Sequence, residues 1–195
     1  MPFPEVTHLV QAAVAVDSVL ARVSGDQWSA SSPCAEWTVA DVTEHLIEVN
    51  HSFTSQLHPD DNSASPTATG SPAGLGSPDQ LVARYRSSTE ELRRALACAT
   101  QPDGQLPKPL RSRLALRVAD LVIHGWDIAT ATGCCLRIGD NLANEVLAFA
   151  DSRSAALQRS GQFASPQPID VNAPAIDQLV ALSGRIPPTA RTQQN

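Results

Sequence analysis

Asp120 and His124 stand four residues apart, a spacing that sets a carboxylate and an imidazole one above the other on a single helical face. Together they can bind one cation. The same pair also suits an ordinary solvated face, where Arg117 would simply pair with Asp120. A third candidate donor, His45, falls on the edge of another apolar stripe, one turn after Val42 and one before Val49. A histidine there faces the core or its rim. Two imidazoles and a carboxylate make a facial set of three ligands that leaves positions open for water or substrate, as catalytic zinc and non-haem iron sites do. Spacing alone leaves the metal site and the polar face both open.

Two helices must position these residues. Leu114, Val118, Leu121, Val122 and Ile128 recur at three- and four-residue steps, which predicts one long helix over about 110–132 with Gly133 at its C-terminal cap. His45 sits on a helix that starts at Thr38, an N-cap with Asp41 three residues on as an imperfect capping box. That helix runs to about residue 57, with Val39, Val42, Leu46, Val49 and Phe53 on its apolar side. The rest of the chain supplies the frame. Residues 4–24 read as a helix, and His8 lies off its stripe and is expected in solvent; His51 and His58 read as surface residues. A third helix is predicted from Ser77 or Pro78 to Ala99, a fifth from Asp140 to Arg159, and a short one over 175–183. Residues 59–79 hold little but Pro, Asp, Ser, Gly, Ala and Thr, and read as a long loop that could act as a lid. Trp28 and Trp37 flank a linker and are expected to plug the bundle end or line a pocket. No alternating strand pattern of any length is present. The fold class is therefore all-α. The expected division is a four-helix bundle over 1–160, a C-terminal extension over 161–188 and a disordered tail over 189–195.

Composition bounds the function. The net charge of -6 offers no electrostatic footprint for nucleic acid or an anionic membrane. No apolar run approaches the ~20 residues of a membrane span, and the first residues lack a basic segment followed by an apolar one. A cytoplasmic protein, monomeric or homodimeric, is expected. The four cysteines, Cys34, Cys98, Cys134 and Cys135, show no metal-ribbon spacing and read as thiols, small buried or half-buried side chains. Thirteen arginines against the single Lys108 are the bias of a GC-rich genome. Dinucleotide, P-loop, nucleophile-elbow and His-Glu-x-x-His motifs are absent, and His45-x-x-Glu48 runs in the wrong order for a di-iron bundle.

Longer motifs bring a family into view. Pro33-Cys34-Ala35-Glu36-Trp37-Thr38-Val39-Ala40-Asp41, followed by His45-Leu46, resembles the start of the second helix in mycothiol-dependent maleylpyruvate isomerase-like proteins of the DinB-like superfamily. Asp120-Leu-Val-Ile-His124-Gly125-Trp126-Asp127 looks like the signature of the same family, and Leu182-Ser-Gly-Arg185-Ile-Pro187 resembles its close. The resemblance spans nearly the whole chain. It implies a DinB-like up-down-down-up four-helix bundle and a divalent metal, zinc or nickel, held by His45, Asp120 and His124. It further implies activation of a thiol, with mycothiol or a similar low-molecular-weight thiol as cosubstrate and a small electrophile as substrate. The activity expected is that of an S-transferase or isomerase; the alternatives are a non-catalytic metal- or ligand-binding bundle and a metal-dependent hydrolase using water in place of the thiol. Asp127 is a candidate to orient a ligand or to face solvent. Arg185 is a candidate for an anionic substrate group or for a surface pair, and Trp126 for packing or cofactor contact. Two departures stand out. The isomerase carries glutamate where this chain has Asp120, and relatives carry glycine where it has Glu36. By its length the chain is not expected to hold the isomerase's separate C-terminal α/β domain, so the expectation stops short of maleylpyruvate isomerisation itself.

Overall fold

The structure, a computed structural model, describes residues 3–57 and 77–188. Among them it is all-helical apart from a single bridge between Ser31 and Thr38. Six α-helices follow in order: α1 Val6–Leu20, α2 Val39–Leu57, α3 Pro78–Ala99, α4 Lys108–Thr132, α5 Asp140–Arg159 and α6 Ala175–Leu182. Helices α1 to α4 form the bundle, with α1 and α2 each packed on α3 and α4, while α5 lies against α4 and α6.

Side-chain pairs give the directions. Glu44 meets Arg84 and His51 meets Glu91, so residue numbers rise together along α2 and α3, and those helices run parallel. Between α2 and α4 the order reverses: His45 faces Asp120 and Phe53 faces Arg113. Val16 lies against Gly125 and Gln27 bonds the Thr132 carbonyl, so α1 and α4 are parallel. This is the up-down-down-up order. A lid over 59–79 lies outside the described residues except for 77–79, which open α3, and so do His58 and the tail 189–195.

Local chemistry sets the helix ends. Ser77 Oγ accepts from Gln80 N and Ser77 N donates to Gln80 Oε1, a complete capping box. Helix α4 begins at Lys108, earlier than periodicity predicts. Pro109 stands in its first turn rather than in the preceding loop, since a proline there forfeits no hydrogen bond. Gly133 closes α4 at φ 68°, the left-handed cap expected of it. Helix α1 is shorter than 4–24 and is entered through Glu5, whose N–H donates to His8 Nδ1 at 2.9 Å.

Residues 121–129 of α4 are buried without interruption, because α1, α2, α5 and α6 surround them. A helix enclosed on all sides loses its amphipathic stripe. Three expectations need correction. His8 is buried rather than solvated: the Phe3 ring packs against its ring in a tilted arrangement and Glu145 of α5 pairs with Nε2 at 3.2 Å, so later chain covers that side of α1. Cys98 and Cys135 are exposed thiols, not buried or half-buried ones. On α2, Ile47 and Asn50 are buried while Val49 is only half-buried, since α3 and α4 cover a wider face than the stripe marks.

Candidate metal centre

The second helix is aimed by its entry. Thr38 N and Oγ1 both donate to Asp41 Oδ2, at 2.9 and 2.6 Å, and Asp41 N donates back to Thr38 Oγ1 at 3.2 Å. The aspartate thus completes the box, and these bonds hold its carboxyl below the usual carboxylate range. Upstream, Ser32 N donates to the Trp37 carbonyl and Trp37 N to the Cys34 carbonyl, a tight turn that puts Glu36 at φ 67°. Glu36 is the one non-glycine residue with positive φ among those described, at the position where the resemblance expects glycine.

The turn lays the Trp37 indole across two imidazoles. Its ring centroid is 4.9 Å from His45 and 5.8 Å from His124, and the two histidines lie 5.0 Å apart. Trp37 therefore lines the site, whereas Trp28 is buried in the core cluster. Trp126 is buried as well, and none of the ring contacts found among the described residues joins it to His45 or His124.

His45, Asp120 and His124 come together. Asp120 Oδ1 lies 3.5 Å from His45 Nε2 and 3.4 Å from His124 Nε2, and one donor atom from each residue falls within 4.8 Å of the others. Those separations exceed the ~2.7–3.2 Å of a good N–H···O bond. They match the about 3.3 Å between neighbouring ligand atoms when a tetrahedral ion binds each at about 2.0–2.1 Å. His124 Nδ1 is 3.0 Å from Asp127 Oδ2. With the ring proton on Nδ1 donating to that carboxylate, Nε2 presents a lone pair to the centre, the arrangement by which buried carboxylates prepare histidine ligands. By donor chemistry and by spacing, the residues fit a divalent cation. The side chains of His45 and Asp120 are 29% and 25% exposed, so a small molecule can reach the triple from solvent.

Buried charge surrounds the triple. Asp127, wholly buried, accepts from Arg185 Nε at 3.1 Å and Nη2 at 2.8 Å as well as from His124. It does not face solvent, and Arg185 is turned inward to it. Burial by itself would raise the Asp127 pKa, but the bonds from His124 and Arg185 outweigh it and hold the carboxyl below the ordinary range. The same contest at Asp120, burial against His45, Arg117 and His124, ends with its carboxyl held well down. The Arg185 guanidinium can arrive because Gly184 takes φ 95° with Ala164 packed against it, where a Cβ would sit 2.6 Å from the Ala164 Cβ. Gly125 has a similar reason: a Cβ there would meet Val16 Cγ2 at 2.8 Å, so α1 and α4 approach closely beside His124.

Sequence reasoning did not single out two members of this neighbourhood. Cys34 forms a second possible donor group with His124 and Asp127; burial pushes its thiol up, against the pull of Arg185. Asn50, on the apolar side of α2 and 1% exposed, bonds Arg117 behind Asp120. A polar residue at a core position of α2 was the available signal for Asn50, and the Pro-Cys-x-x-Trp context was the one for Cys34.

A four-helix bundle with two imidazoles and a carboxylate converging from two of its helices is, as a class, a helical bundle with a candidate cation site between those helices. The match to known proteins is narrower. Residues 9–129 match the family model described as mycothiol maleylpyruvate isomerase N-terminal domain, and the chain belongs to that family. The matched residues include all of α2 and α4 as far as Ala129, with all three donors. Two Mycobacterium tuberculosis proteins, described as the uncharacterized proteins MT0763 (strain CDC 1551) and Rv0738 (strain H37Rv), are each 31% identical over 175 residues, covering 86% of this chain and 90% of their own. No solved structure matches significantly. Among the described residues no helix is long and apolar enough to cross a membrane.

Proposed function

We propose that this protein is a divalent-metal-dependent enzyme that activates mycothiol, or a closely similar low-molecular-weight thiol, for transfer to a small electrophile or for an isomerisation that proceeds through such an adduct. The observation that carries the reading is the shared Oδ1 of Asp120, flanked by two imidazole Nε2 atoms at 3.4 and 3.5 Å, with His124 Nδ1 anchored on Asp127. His45, Asp120 and His124 are the metal ligands, with zinc first and nickel second among the candidates. A divalent cation supplies one thing here: it favours the ionised form of a thiol that reaches it, so that a nucleophile exists near neutral pH.

The residues of the chain do the rest. Asp127 keeps the His124 ring proton on Nδ1 and so keeps Nε2 free. Arg185 holds Asp127 ionised and in place. Trp37 packs on both imidazoles and limits their rotation. The exposed edge at His45 and Asp120 is the approach for thiol and electrophile. Family membership supports the choice of thiol, and the geometry supports the choice of cation site.

Metal analysis and titration calorimetry test the proposal together. The parent protein is expected to take up about one zinc or nickel ion per chain, and His124→Ala to lose it while its circular dichroism stays helical. Mycothiol is expected to release heat on binding to metal-loaded parent and none with the variant. A parent protein that takes up neither ion, or a metal-loaded parent that does not bind mycothiol, would overturn the corresponding half of the reading.

A further inference from the structure

Arg117 is 2% exposed and lies one turn before Asp120 on α4. A guanidinium keeps its charge in a protein, so burying one requires partners for it. Nη1 donates to Asp120 Oδ2, Nη2 to the Leu46 carbonyl at 2.8 Å, and Nε to Asn50 Oδ1 at 2.9 Å. Asn50 is held in turn, its Nδ2 donating to Ser88 Oγ at 3.0 Å and Thr89 Oγ1 at 3.1 Å on α3. The network joins three helices directly behind the donor triple. One anchor is the backbone of Leu46, the residue after His45, so the group that holds Asp120 also holds the segment that carries His45.

The two oxygens of Asp120 are divided between these neighbours. Oδ2 goes to Arg117, and Oδ1 faces both imidazoles. We propose that Arg117 is a positioning residue of the metal centre: by occupying Oδ2 it confines Asp120 to a single ligand oxygen and leaves coordination positions open for thiol and electrophile. The inference rests on the His45/Asp120/His124 reading above. A pair made for stability alone would not need to spare the oxygen that both histidines share. Asn50 sets the guanidinium plane, and the bond to the Leu46 carbonyl sets its depth, so the choice of oxygen is built in rather than left to a mobile side chain.

Cobalt(II) is the probe, because its visible absorption weakens as ligands are added beyond four. The variants are Arg117→Met and the double variant Arg117→Met/Asn50→Leu, in which no buried amide is left without its guanidinium. The parent is expected to show the strong band of a low-coordinate ion. In the folded variants a weaker band, as Oδ2 joins Oδ1, or lost uptake, as Asp120 swings away, supports the positioning role. An unchanged band at unchanged cobalt affinity overturns it and leaves the metal site standing. A parent that takes up no cobalt overturns the metal site itself. Infrared spectra of the cobalt-loaded parent, with the aspartate carboxyls isotope-labelled, ask the same question without a substitution. A wide separation of the carboxylate stretches marks one ligand oxygen, and a narrow one, marking two, overturns the proposal.

Discussion

Replacing Asp127 with asparagine removes one charge from the centre and almost no volume, so whatever changes is electrostatic. In the parent the buried carboxylate takes three bonds, from His124 Nδ1 at 3.0 Å and from Arg185 at 2.8 and 3.1 Å. An amide has only one oxygen. Whichever way it turns, its NH2 group confronts at least one N–H of Arg185 or His124. Charge-assisted bonds contribute about 1.5–3 kcal/mol each against about 0.5–1.5 for neutral ones, and Arg185 is left buried without an anion. Breaking a buried pair at one partner costs about 3–5 kcal/mol. At ~2–4 °C per kcal/mol for a chain of this size, the melting temperature should fall by about 6–20 °C. The imidazole loses its anionic anchor as well, and loss of such an outer partner weakens metal binding about 10–100-fold. Thermal melts of the metal-free protein and competition titrations with a zinc chelator read the two effects separately. The Arg185→Met background is the control, since there the Asp127→Asn penalty should shrink once no buried cation lacks its anion. A variant that melts with the parent and binds zinc equally well would refute the reasoning, because the buried carboxylate would then be neither a structural pair nor an anchor for His124.

Three further outcomes follow from single positions. Gly125→Ala places a methyl 2.8 Å from Val16 Cγ2; overpacking of about 1–3 kcal/mol outweighs the ~1 kcal/mol helix preference for alanine, and urea denaturation should show a net loss that Val16→Ala relieves. Glu36→Gly removes a side chain from φ 67° and should stabilise by about 0.5–1 kcal/mol, read as a small rise in melting temperature that Glu36→Ala does not reproduce. The Asp41 carboxyl, held low by Thr38, is a pH-dependent cap. Its folded pKa lies below the unfolded value of about 3.9, so its contribution is complete above that pH and lost as pH falls through the folded value. Acid titrations of the parent against Asp41→Ala should run parallel above about pH 4 and converge as pH falls below it; curves that stay parallel throughout would refute the cap.

Within a helix, the chain is legible from its own sequence. The 3.6-residue period located six helices, and it put Asp120 and His124 on one face without reference to any neighbour. Two caps were readable for the same reason: Thr38 with Asp41, and Gly133, each satisfy backbone groups within four residues. Which histidine joins the pair was another matter. His8, His45 and His51 all sit on helices, and periodicity placed His8 in solvent, where packing by α5 later buried it. His45 reaches Asp120 because α2 runs antiparallel to α4 at one register, and a register between helices is set by the whole interface rather than by the spacing within either.

Longer separations were decided by tertiary structure alone. Arg185 closes on Asp127 across 58 positions, and Asn50 on Arg117 across 67. The core position of Asn50 on α2 was a local signal that it is buried, but nothing local names Arg117 as its partner or Asp127 as the partner of Arg185. Burial does, since a charge taken from water must find its partner, and only the folded chain says which groups are taken from water together. The sequence by itself determined the helices and the chemical types on each face. The packing of α2 against α4, with the tail turned back at Gly184, decided which of those types meet.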